Sequence, residues 1–108
     1  MNIQFKKGVL ELCVLSILSN GDRYGYELAS SLSETIDISD GTIYPILRRL
    51  KSDGYVTTYL KESNEGPPRK YYKLTKEGNQ ERKMLHKEWK SFVCSVENLM
   101  EREVAINE

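Results

Sequence analysis

The 108-residue chain has one histidine, two cysteines and three prolines, and its 16 cationic side chains cancel 16 acidic ones. Each scarcity excludes a class of function. His86 alone cannot complete a zinc-ligand set, and Cys13 and Cys94 make no disulfide framework. Serine and cysteine nucleophiles have only His86 to activate them, and no glycine-rich phosphate loop appears. No enzyme, metal or cofactor is therefore expected. Both cysteines fall in apolar, helical-looking stretches, so they are expected to act as small buried hydrophobes in a reducing, cytoplasmic protein. No run approaches the roughly 18 apolar residues of a membrane span. The opening "MNIQFKKGVLELCVLSIL" has the lysines and apolar run of a signal peptide. However, Glu11 interrupts it and no small-residue cleavage site follows.

The zero net charge hides an uneven map. Residues 41–76 carry eight cations and three acids, a local charge of +5, leaving −5 for the remainder. A basic segment in a neutral chain is a footprint for a polyanion. A solvated charged face is the plainer alternative. At this length the chain is expected to be one domain, residues 1–75, with an appended helix, 76–108.

Apolar spacing divides the first segment. "KGVLELCVLSILS" (7–19) is apolar around most of a helix, too much for one small domain to cover. Its residues Val9, Leu10, Cys13 and Val14 are expected to meet a second subunit. "RYGYELASSLSET" (23–35) repeats Tyr24, Leu28 and Leu32 at i, i+4, as a short amphipathic helix does. In "GTIYPILRRLKSD" (41–53), Ile43, Ile46, Leu47 and Leu50 make one helical face and leave Thr42, Tyr44, Arg48 and Lys51 on the others. Ser39 or Asp40 can cap this helix, Pro45 belongs in its first turn, and Gly54 ends it.

The period then changes. "YVTTYLKE" and "RKYYKLT" are β-branched and aromatic, and "SNEGPP" between them is a turn cluster, so a hairpin is expected. Val56 and Leu60 should alternate with outward residues, and one of Tyr71 and Tyr72 should pack on the core. Thr75 can cap a final helix carrying Leu85, Trp89, Phe92, Val96 and Leu99 at heptad-like spacing, the pattern of a partner-facing seam.

Three short helices and a hairpin are the order of a winged helix-turn-helix, here mainly α with a long C-terminal dimerisation helix. Its third helix suits the major groove of double-stranded DNA, and Arg69, Lys70 and Tyr71 on the wing suit phosphates. "YGYELASSL", "GTIYPILRRLKSDGYV" and "GPPRKYYKLTKEG" also resemble the PadR family of bacterial transcriptional regulators, over about residues 8 to 99. That resemblance implies a homodimer on a palindromic operator. The single C-terminal helix is similar to that of a small subclass that includes multidrug-sensing repressors. Residue by residue it implies DNA contacts at Thr42, Tyr44, Arg48, Arg69 and Lys70, and a ligand-facing interface aromatic at Trp89. Phe92 beside it departs from the family's pattern and is a further candidate contact for a small aromatic effector. Many relatives have an acid after "RRL", where Lys51 makes this helix more basic. The competing reading is a winged-helix interaction module whose basic wing meets an acidic protein.

Overall fold

The computed structural model describes residues 3–107, with side chains from 8 to 104. Met1, Asn2 and Glu108, at the outer ends of the two expected segments, and the side chains of Lys6 and Lys7 lie outside it. The order is α1 (Ile3–Leu18), β1 (Arg23–Tyr24), α2 (Gly25–Thr35), α3 (Asp40–Ser52), β2 (Val56–Ser63), β3 (Gly66–Leu74) and α4 (Lys76–Asn107). The strands form an antiparallel sheet in the order β1-β3-β2.

The core follows the apolar spacing. Leu10, Val14, Leu15 and Leu18 of α1 meet Leu28, Ala29 and Leu32 of α2 and Ile43, Ile46, Leu47 and Leu50 of α3. Val56 and the Tyr72 ring close this cluster from the sheet. Each such aliphatic side chain contributes about 1.5–3 kcal/mol on full burial. Leu10 and Val14 are therefore sealed within their own protomer, which corrects their assignment to a subunit interface. Val9 and Cys13, on the other side of α1, remain partly exposed.

Several local expectations change in the folded chain. Arg23 and Tyr24 do not begin the second helix; they pair with Tyr72 and Tyr71, which turns the hairpin into a three-stranded sheet. The turn is confined to Asn64 and Glu65, and the prolines fall inside β3, opposite an irregularity between Lys61 and Ser63. A bulge tolerates them because proline cannot donate to a strand ladder. Pro45 lies in the second turn of α3 rather than the first, because the helix starts at Asp40 and Ile43 is fully buried. Its missing N–H forgoes one bond at an exposed position. Leu60 has the parity of the inner face but lies beyond the core and is 68% exposed. Cys94 is exposed, not buried.

Both ends of the wing are pinned by hydrogen bonds. Gly54, at φ +81°, ends α3 in a Schellman turn, where Gly54 N–H donates to the Lys51 carbonyl and Tyr55 N–H to that of Leu50. Thr75 caps α4 as its sequence position suggests. Its Oγ1 accepts from Gly78 N–H at 2.9 Å and donates to the Gly54 carbonyl at 2.7 Å. Gly78 then lies so close to the Tyr55 carbonyl that a Cβ there would collide with it. One hydroxyl thus joins the end of α3, the end of β3 and the start of α4. The 32 residues of α4 rise about 48 Å at the usual 1.5 Å per residue, in a molecule 61 Å long.

Thr75→Ala should lower unfolding stability by about 1–2 kcal/mol in a urea titration, because it removes a cap and a second bond together. Thr75→Ser, which retains the hydroxyl, should stay near the wild-type value.

Candidate nucleic-acid interface

The buried stripe of α3 decides which of its residues can reach a partner. With Ile43, Ile46, Leu47 and Leu50 inward, Arg48 and Lys51 are exposed and Tyr44 is half-buried. Tyr44, Arg48 and Lys51 lie at i, i+4 and i+7, one outward line along the helix. Thr42 stands at the N-terminal turn, its hydroxyl 3.3 Å from that of Ser39, the N-cap residue. Arg49, the other arginine of the pair, turns away and forms an ion pair with Glu11 of α1.

Arg69 and Lys70 adjoin in sequence but point to opposite sides of the wing. In the β2–β3 register, Val56/Leu74, Thr58/Tyr72 and Leu60/Lys70 share the inner face, while Thr57/Lys73, Tyr59/Tyr71 and Lys61/Arg69 share the outer one. Lys70 therefore joins Tyr44, Arg48 and Tyr72 around a hollow between α3, β3 and the start of α2. Arg69 and Tyr71 are not brought there.

The outer face carries an aromatic row that sequence reasoning missed. The Tyr71 ring stacks on Tyr59 at 5.6 Å and 17°, with Tyr24 at 6.1 Å on its other side. Lys61 places its ammonium 5.2 Å from the Tyr71 ring centre, and Arg69 its guanidinium 4.8 Å from that of Tyr24. Such pairs hold a cation over a π-face without neutralising it. The Tyr59 hydroxyl donates to Asp22 at 2.7 Å, and this bond raises its phenol pKa. Strand alternation placed Tyr59 and Tyr71 on one side, but Tyr24 joins them only through β1. Tyr71 is thus engaged mainly with other rings, and Tyr72 is the tyrosine that packs on the core.

A second surface lies between α1 and α4. Val9, Leu12, Leu85, Trp89 and Phe92 line an open apolar groove of about 320 Å³, with Glu88 at its edge. Leu85 also packs against the core, so only part of it faces this groove. Further along α4, Phe92, Leu99, Met100 and Val104 are about half exposed, and Val96 lies between them partly covered. Among the described residues no cluster could hold a metal, and no helix is long and apolar enough to cross a membrane.

Helices α1 to α3, with a short strand pairing back on a two-stranded wing, define a winged helix-turn-helix. The sequence profile of the Transcriptional regulator PadR-like family matches residues 14–84. A solved Streptococcus transcriptional regulator is 39% identical, with a TM-score of 0.81, over 89% of this chain and 96% of its own. A solved PadR-like transcriptional regulator from Bacillus cereus is 38% identical, also at 0.81, over 90% of this chain and 96% of its own. An uncharacterized protein of Lysinibacillus sphaericus is 31% identical over 77% of this chain and 80% of its own. The chain belongs to the PadR-like family of transcriptional regulators, and it is a DNA-binding regulator rather than an enzyme.

Proposed function

We propose that the protein works in the cytoplasm as a homodimer that binds a palindromic operator and represses transcription. One observation carries the DNA half of this reading. Tyr44 and Arg48 of α3 and Lys70 of the wing line one concave surface with no acid among its lining residues. With α3 in the major groove, Thr42, Tyr44, Arg48 and Lys51 meet base edges and the nearest phosphates. The wing lies along the adjacent minor groove, where Lys70 meets one phosphate strand and Arg69, with Tyr71 behind it, the other. A dimer seated on a promoter represses by occluding it.

The dimer half rests on apolar surface. Val9 and Cys13 on α1, and Leu85, Trp89, Phe92, Val96 and Leu99 on α4, form a seam along two elements that already touch. Pairing two copies there would cover it and hold two α3 helices one DNA turn apart, as a palindrome requires. Trp89 and Phe92 border the groove between α1 and α4, where a planar aromatic molecule could stack, and Glu88 beside them favours a cationic one. Its entry would shift the spacing of the two wings and release the operator.

The first measurement is a mobility shift with DNA from upstream of the protein's own gene. Arg48→Ala should cost about 1–3 kcal/mol per contact and relax choice at one position in each half-site. Arg69→Ala and Lys70→Ala should weaken all duplexes alike and lower the salt slope by about one per subunit each. If none of the three alters DNA affinity, the DNA reading fails and an acidic protein partner must account for the basic surface. By light scattering the wild type should have dimer mass, and Val96→Glu should yield monomers or aggregates because a carboxylate is costly to bury in an apolar seam. Planar aromatic cations should quench the emission of Trp89, the single tryptophan, and Trp89→Ala should abolish their binding without dissociating the dimer. Unchanged emission would leave Trp89 as packing.

A further inference from the structure

Packing does not account for the Tyr72 hydroxyl. The residue is only 8% exposed and its ring belongs to the core, yet no buried polar side-chain atom is left unpaired among the described residues, so its hydroxyl is not sealed in with the ring. The ring runs beneath Gly25, the first residue of α2, where an added Cβ would lie 3.2 Å from Tyr72 Cε1. Its polar end borders the hollow of about 440 Å³ shared with Tyr44, Arg48 and Lys70.

The polar side chains that line the hollow with that hydroxyl can all donate, and none is acidic. Tyr44 brings a second phenol, Arg48 a guanidinium and Lys70 an ammonium. The 11-residue helix α2 begins at Gly25, and Tyr24 ahead of it offers no side-chain cap. The N–H groups of its first turn therefore add partial positive charge at the rim. Glu27 in that turn is exposed and is not part of the lining. Burial and the nearby Tyr44 raise the Tyr72 pKa, and Arg48 opposes them, so the phenol stays protonated and able to donate.

We propose that this hollow seats one phosphate of the DNA backbone, with Tyr72 and Tyr44 donating neutral hydrogen bonds and Lys70 supplying charge, while Arg48 at its edge remains the base-reading residue. The inference rests on the DNA-binding reading above and extends it to a residue buried in the core. The mixed set of neutral and charged donors suits a tetrahedral anionic group with several oxygens. Because Tyr72 is fixed by the core, the phosphate would set the depth at which α3 enters its groove.

Tyr72→Phe tests this while retaining the ring that the core needs. On a fluorescein-labelled mixed-sequence duplex it should weaken binding by about tenfold or more, the loss of one hydrogen bond to a charged group. The salt slope should not change, because no charge is removed, whereas Lys70→Ala should lower it. If Tyr72→Phe binds like the wild type while Arg48→Ala and Lys70→Ala bind weakly, the phosphate seat is overturned and the DNA reading stands. If the wild type binds no duplex, both fall. A thermal shift given by sodium phosphate over chloride at equal ionic strength, lost in Tyr72→Phe with duplex affinity unchanged, would overturn the DNA assignment in favour of free phosphate.

Discussion

The wing depends on the burial of one aromatic ring. Tyr72 inserts among the residues that α1, α2 and α3 turn inward, and it pairs with Arg23 on one side and Thr58 on the other. A strand repeats every two residues, so a slip of one would move that ring to solvent and Tyr71 into the core. Burying Tyr72 therefore also sends Lys70 to the inner face, and Tyr71, Arg69 and Lys73 to the outer one. The wing's cations are distributed by a hydrophobic choice made at its base.

The same logic governs α3. Four aliphatic residues hold it against the core, and the ion pair of Arg49 with Glu11 holds its side. An exposed pair of this kind contributes little to stability, about 0–1 kcal/mol. What it does is orient Arg49 toward α1 and leave Arg48 on the open line with Tyr44. Two adjacent arginines thus take separate tasks, as do the adjacent pairs Arg69/Lys70 and Tyr71/Tyr72. The neutral net charge reads differently in this light, since the basic segment is folded into a surface whose inner hollow has no acidic lining.

Much of this was legible from local pattern. The α3 stripe, the glycine stop at Gly54, the Thr75 cap and the split between Tyr71 and Tyr72 all rest on short-range periodicity or on one residue's hydrogen-bonding chemistry. What misled was information held elsewhere in the chain. Arg23 and Tyr24 have no strand pattern of their own and become β1 because the edge of β3 is available to them. Leu60 has the correct parity for burial, but the core ends before reaching it. Leu10 and Val14 looked surplus to a small core, and it needed both.

By itself, then, the order of residues determined the elements, their ends and the winged-helix class, because helix and strand periods, caps and turn glycines act over a few positions. It also determined that positive charge gathers between residues 41 and 76. Only the tertiary structure decided which cations share a surface, since Arg48 and Lys70 lie on separate elements and meet only when α3 and β3 pack on the same core. The row of Tyr24, Tyr71 and Tyr59 likewise exists only because a two-residue strand folds back against β3. So does the donor-lined hollow over Tyr72, whose walls come from four elements, β1, α2, α3 and β3.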